Sequence, residues 1–290
     1  VTIEAHLFLP QMRMSVEDMV AKAQAAEAAG FHGIALMDHL TPPMADDQPM
    51  WEAMVMATWL AAATRRITIG HLVLCDAFRH PAVLARQAVT IDHASGGRFE
   101  LGIGWGSVPT ELGTFGVGSM EPKARVDRLG ETLQVVRALW TGEPVDFEGT
   151  HHQVHGGQQR PTPLGRIPIV VGGAGPKTLA LVREHADWWN LPIDKIGKLD
   201  QLRDQVGDAR PSLQQMVTYA PDPATADEVI ATAERRFRHF PHRVVGDSAT
   251  MVAHVRDLES RGIERVYLWF SDFADEANLA RFGAEVLAAL

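Results

Sequence analysis

Short apolar stretches alternate with helical stretches eight times along this chain, and that alternation restricts the fold more than any other feature. Thr2 to Leu9 reads as a strand closed by Pro10. Ser15-x-x-Asp18 starts a helix in the manner of a capping box. Val16, Met19, Val20 and Ala23 share one face of that helix, and Gly30 stops it. Gly33 to Met37 is a second strand, followed by a helix from about Met50 to Ala63. Ile67 to Leu74 is a third, followed by a helix that Pro81 opens and Gly96-Gly97 ends. Phe99 to Ile103 is a fourth, and Val126, Leu129, Leu133, Val136 and Trp140 form the helical stripe after it. Ile167 to Val171, Asp187 to Leu191, Met216 to Tyr219 and Arg265 to Phe270 are the remaining strands, each trailed by a helical segment.

Strict alternation of strand and helix implies a parallel sheet. Eight such units in 290 residues imply that the sheet closes. The expected fold is α/β, a (β/α)8 TIM barrel forming one domain over residues 1–290. Insertions are expected after strand four (residues 104–124) and before strand five (residues 143–166). The rival is an open doubly wound sheet. Its dinucleotide fingerprint is missing: Gly102-x-Gly104-x-Gly106 continues into Ser107 and sits in the fourth strand, not the first. Val83, Leu101, Val136, Val170 and Val266 are expected in the core. A hydrophobic content of 46% is enough for one of this size.

A net charge of 27 − 36 = −9 argues against a nucleic-acid binder. Cys75 is the single cysteine, so there is no disulfide framework and no cysteine-based zinc site. The first residues lack the basic-then-apolar pattern of a signal peptide, and no apolar run approaches a membrane span. A cytoplasmic protein without membrane or nucleic-acid partners is expected.

Barrel chemistry gathers at the C-terminal ends of the strands. Those ends carry His6 to Pro10, Asp38-His39, Leu72 to Asp76, Gly104 to Glu111, Gly172 to Thr178, Asn190 and Trp269 to Asp272. The stretch Ser95 to Glu111 stands out, because its strand loses its side chains at Gly102 and Gly104 before opening into a loop with Trp105, Pro109 and Glu111. Glycines there let a ligand approach the backbone.

Met37-Asp38-His39, Phe78-Arg79-His80-Pro81, Ser95-Gly96-Gly97-Arg98-Phe99 and Gly102-Ile103-Gly104-Trp105 together resemble the bacterial-luciferase-like barrel flavoproteins. So do Arg125 to Glu131, Leu139-Trp140-Thr141-Gly142, Phe147-Glu148-Gly149 and Ile169 to Gly173. The resemblance covers most of the chain in order. It implies a barrel, usually a homodimer, that holds a flavin or deazaflavin and acts on a small-molecule substrate. An Asp-His pair ending strand two is more like the branch that uses the deazaflavin coenzyme F420 for hydride transfer. Branches that use reduced FMN as monooxygenases more often have Glu-His there. A non-catalytic flavin-binding barrel is the third reading.

The resemblance also assigns roles. His39 is expected to hold or move the proton that hydride transfer creates or consumes, as an imidazole can near neutrality. Glu111 is a candidate acid or base, or a structural partner of Arg125 or Arg128. Asp38 is expected to bind the coenzyme or to orient the backbone. Leu72 and Val73 match the place of a non-prolyl cis peptide beneath the coenzyme ring, and Gly104 approaches that ring. Gly172, Gly173, Ala174, Gly175, Lys177 and Thr178 join a strand to a helix start, where backbone N–H groups favour a phosphate. His6, Trp105 and Ser107 are expected on the substrate side, with a packed core position the alternative for Trp105. Arg79 and His80 serve the coenzyme's anionic groups or cap the Pro81 helix. His151, His152 and His155 lack metal-ligand spacing, and no metal is expected. Sugar-phosphate dehydrogenases of the deazaflavin branch carry Trp and Glu where this chain has Pro43 and Ser107, so the expected substrate is left unnamed.

Overall fold

The computed structural model describes residues 2–43, 45, 47–237, 240 and 242–290. The local signals form the elements they imply. Ser15 accepts from the Asp18 N–H while Asp18 accepts from the Ser15 N–H, and Gly30 closes the same helix at φ 92°. That left-handed conformation costs glycine nothing.

In chain order the first half contains β1 (Glu4–Phe8), α1 (Val16–Ala29), β2 (Gly33–Leu36), α2 (Ala53–Ala63), β3 (Thr68–His71), β4 (Leu74–Cys75), α3 (Pro81–Ser95) and β5 (Leu101–Gly104). The insertions follow as α4 (Pro109–Phe115), α5 (Pro122–Trp140), β6 (Val145–Glu148) and β7 (Gln153–Gly157). The second half is β8 (Ile169–Gly172), α6 (Pro176–His185), β9 (Trp188–Leu191), α7 (Leu199–Arg203) and β10 (Arg210–Tyr219). It ends with α8 (Ala226–Phe237), β11 (Val244–Gly246), α9 (Ser248–Ser260), β12 (Arg265–Phe270) and α10 (Glu276–Glu285).

The strands are parallel in the order β3-β2-β1-β12-β10-β9-β8-β5-β4. A parallel bridge between Ile69 and Phe99 brings the β3 end of this path beside the strand that leads into β5. β3 and β4 are two halves of one stave, separated by the cis peptide Leu72–Val73. The eight-stave barrel therefore has one stave in two pieces. β11 adds to β10 off this path. The insertions are less irregular than expected. Residues 104–124 contain α4, and residues 143–166 contain the antiparallel hairpin β6–β7.

Leu101, Val136, Val170 and Val266 are buried, but Val83 is 51% exposed. It lies on α3, whose core face is carried instead by Leu84, Ala85, Ala88 and Ile91. A β-branched residue one position off the stripe faces outward, and Val55 and Trp59 on neighbouring α2 are exposed as well.

The N-terminal end of the barrel is closed by charge. Arg265 is 3% exposed and donates to Glu100 at 2.6 and 3.0 Å and to Glu4 at 2.6 and 2.8 Å. Its guanidinium lies 3.7 Å from the Trp188 ring centroid, and Arg210 lies 3.9 Å from the same centroid. Burial pushes Glu4 up, but its contacts with His6 and Arg265 outweigh that and hold the carboxyl at about 2.

His6, expected on the substrate side, belongs to this interior instead. It is mid-strand in β1, paired in register with Gly33 and Tyr267, and its Nε2 sits 3.3 Å from Glu4 Oε2. Burial, then the Arg265 charge, hold its imidazole down at about 4. Gly33 makes room for it, since a Cβ there would come within 2.2 Å of His6 Nδ1. Strand β1 reaches the opposite end of the barrel only at Phe8.

Candidate active site

At the C-terminal ends of the strands a cavity of about 340 Å³ opens. β2 delivers Met37, Asp38 and His39 to it, the Leu72 to Cys75 segment lines one side, and Gly104 to Val108 line another. Gly172, Gly173, Asn190 and Gln214 complete the wall. Asp38, Ser107 and Gly173 thus share one face of the barrel, as expected.

The turn after β2 is fixed from two sides. The Gln11 side chain, fully buried, donates to the Met37 carbonyl at 2.6 Å and accepts from the Met37 N–H at 3.2 Å. Glu111, on α4, accepts from the Leu40 and Thr41 N–H groups at 2.6 and 2.9 Å through Oε1. Its other oxygen lies 3.0 Å from His39 Nδ1. With the Glu111 carboxylate accepting from Nδ1–H, His39 Nε2 is left as the free acceptor nitrogen of the ring. The His39 side chain keeps 17% of its surface exposed, in the cavity wall. Glu111 thus pairs with His39 rather than with either arginine.

Asp38 is 5% exposed and internally engaged. It accepts from the Cys75 N–H at 2.8 Å and from Arg79 at 2.6 and 3.0 Å. The orienting role fits: Asp38, just past β2, is tied to Cys75 at the end of β4. Arg79 also pairs with Glu52, and the His80 ring caps α3 by accepting from the Ala82 N–H at 3.2 Å. Arg125 instead stacks on Trp105, 4.6 Å from its centroid, and donates to the Gly106 carbonyl at 2.7 Å. Burial pushes the Cys75 thiol up to about 12, so it remains protonated beside the cavity.

Of the loop after β8, only Gly172 and Gly173 line the cavity. Thr178 is 4% exposed and packs under Gly173, while Lys177 is exposed and donates to Asp127 at 2.6 Å. Gly173 has φ 130° and a Cβ there would lie 3.0 Å from Thr178 Cγ2, so a side chain is strained at that position. Gly172 is different, since the nearest atoms to a Cβ there are those of Asn190 at 3.9 Å. A Cβ on Gly104 would come within 2.7 Å of Val73 Cγ2, so the close approach of these two strands requires glycine. Asn190 was expected at a strand end and lines the cavity, whereas Gln11 and Gln214 were not singled out from sequence, because a lone amide among apolar residues carries no motif.

A glycine-walled, largely apolar slot edged by an imidazole, a carboxylate and two amides can receive a flat heterocycle. Residues 2–267 match the model of the luciferase-like monooxygenase family, and the chain belongs to that family. An F420-dependent glucose-6-phosphate dehydrogenase of Microbacterium testaceum is 33% identical over 220 residues, 70% of this chain and 64% of that protein. One from Mycobacterium avium is 30% identical over 73% of this chain and 67% of that protein. The matched stretch spans only about half the length of several others, 48% in the Mycolicibacterium fortuitum protein. Among solved structures, an F420-dependent secondary alcohol dehydrogenase superposes with a TM-score of 0.84 at 19% identity, each chain covered in full. An EDTA monooxygenase from Chelativorans superposes with 0.85 at 14% identity, over 99% of this chain and 94% of the other. At these identities the two structures share the fold.

Proposed function

We propose that this protein is an oxidoreductase that transfers hydride between coenzyme F420 and a small organic substrate. The observation that carries the reading is the His39–Glu111 pair, an oriented imidazole at the wall of a glycine-lined cavity. The three relatives described above, each at 30% identity or more, are F420-dependent, which favours the deazaflavin over reduced FMN. Gly104, Leu72, Val73 and Gly172 would hold the ring, and Gly173 with the start of α6 would hold the phosphate. That helix begins without a side-chain cap, leaving first-turn N–H groups to an anion. When bound, the deazaflavin supplies a two-electron hydride carrier. His39 Nε2 takes or gives the substrate's hydroxyl proton, Glu111 holds the ring in the required tautomer, and Asp38 fixes the strand ends.

Gly172→Val tests the cavity as the coenzyme site. The position has room for a Cβ, so thermal stability is expected to stay near wild type while F420 affinity falls at least about tenfold, a loss of ~1.4 kcal/mol. Unchanged affinity in the folded variant would detach this strand end from the coenzyme.

A cytoplasmic homodimer is part of the same reading. Trp59 and Val55 on α2 are 58% and 65% exposed and with Thr58, Ala62 and Ala63 line an open apolar surface suited to a second copy. Among the described residues no helix is long and apolar enough to cross a membrane. Light scattering that returned a monomeric mass would remove the dimer.

A further inference from the structure

A smaller pocket, of about 180 Å³, lies behind Trp105, which lines both it and the coenzyme cavity. Asp76, Ser119, Arg125, Arg128 and His151 supply its polar surface. Arg128 is committed within the protein: it pairs with Asp76 and donates to the Arg79 carbonyl at 3.0 Å. Arg125 is not. It is 4% exposed, and among the described residues its side chain has one hydrogen bond, to the Gly106 carbonyl at 2.7 Å, and no carboxylate partner. Its Nε is buried without any partner. The Trp105 ring, 4.6 Å away, offers the charge only the face of an indole. A buried guanidinium without a counter-charge is costly. The pocket also touches the start of α5, a helix without a side-chain cap, so the positive end of the helix dipole adds to the same field.

We infer that this pocket is an anion subsite, in which Arg125 receives a compact oxyanion, a carboxylate or a phosphate group. Asp76 also faces the pocket, with Oδ1 unpartnered, but Arg128 offsets its charge. The surplus charge is therefore that of Arg125. The pocket has about half the volume of the coenzyme cavity, so it suits the end of a ligand rather than a fused ring system. Two sources share this chemistry. One is the acidic tail of F420, and that source rests on the coenzyme reading above. The other is a free anion such as inorganic phosphate. Position favours the tail. Asp127, two places along α5 from Arg125, accepts from Lys177 at 2.6 Å, so the helix that carries the pocket adjoins the start of α6 assigned above to the coenzyme phosphate.

The test is calorimetric titration of the wild type, Arg125→Met and Arg125→Lys with F420, with the tail-free deazaflavin FO and with inorganic phosphate. Melting temperature checks folding. Arg125→Met removes the unmatched charge and keeps an apolar side chain, so its melting temperature without ligand is expected at or above that of the wild type. Phosphate affinity is expected to fall at least about tenfold in Arg125→Met, the scale of one hydrogen bond to a charged group. Arg125→Lys is expected to retain part of it. With the tail as the source, the wild type binds F420 at least about tenfold tighter than FO, and Arg125→Met removes that difference by weakening F420 alone. Phosphate binding that depends on Arg125 beside an F420-to-FO ratio that does not supports the subsite and makes its occupant a free anion. Phosphate and F420 bound equally well by wild type and Arg125→Met overturn the subsite and leave the anion contact to the start of α6. An Arg125→Met variant that melts early and weakens F420 and FO alike makes the residue a support for Trp105 and overturns it too. A wild type that binds neither deazaflavin overturns the coenzyme reading alone, because the phosphate titration does not depend on it.

Discussion

His39→Ala is expected to lower turnover roughly 10²- to 10⁴-fold at saturating coenzyme, the usual worth of a positioned acid or base. The fold is expected to survive. Glu111 keeps the Leu40 and Thr41 N–H groups after the imidazole is gone, and Gln11 still clamps Met37. The lost side chain faces the cavity rather than the core. Three outcomes separate in single-turnover measurements. A loss of rate that saturating F420 does not repair assigns proton transfer to His39. A loss repaired by excess F420 assigns it to coenzyme binding. A variant that melts early with a normal rate assigns it to structure. Glu111→Gln provides the comparison, since an amide at that place no longer demands Nδ1–H and frees the ring to take either tautomer. Its expected signature is a smaller rate loss with a shifted pH profile.

Arg265→Leu is the largest expected effect on stability, a loss of about 3–5 kcal/mol, because removing one partner of a buried ion pair strands the other. Here Glu100 is stranded, while Glu4 keeps His6 and Arg210. Glu100 is 8% exposed and loses its guanidinium partner, and Glu4 loses two of its hydrogen bonds. Trp188 loses one of its two cation contacts as well. Urea denaturation reads the change. Replacing Glu100 by Leu in the same chain is expected to restore part of the loss, since a matched apolar set avoids the uncompensated charge. A loss below about 1 kcal/mol would mean that water reaches the stranded carboxylate as it does at surface pairs. The plug is at the end of the barrel opposite His39, so the residual folded protein is expected to keep its coenzyme affinity.

What was legible in the sequence was local. Capping at Ser15, the Gly30 and Gly96 stops and the strand-helix alternation are written in neighbouring residues, and they fixed the order of staves. The division of the third stave at Leu72–Val73 followed from resemblance and has no local sign in an apolar run. Partner choice was not legible. Glu111 meets His39 across 72 positions and Asp38 meets Arg79 across 41, and nothing near either carboxylate distinguishes these partners from Arg125 or Arg128. His6 was misassigned because the end of β1 was set at Leu9 and Pro10 without knowing which residues lie below the rim. A chamber with an aromatic wall beside the cavity was hidden for the opposite reason. Phe8, Phe237 and Trp269 come from β1, α8 and β12, and each alone reads as a core residue. Pro43 and Ser107, visible as departures from the sugar-phosphate dehydrogenases, both line that chamber.

The most direct test of the central claim is a parallel titration of the purified protein with F420 and with FMN, oxidised and reduced, under anaerobic conditions. Micromolar or tighter binding of F420, about −8 kcal/mol, with FMN at least a hundredfold weaker, is the predicted result. Tight binding of reduced FMN without F420 binding would contradict it and make this barrel a monooxygenase, and binding of neither would leave it without the proposed chemistry.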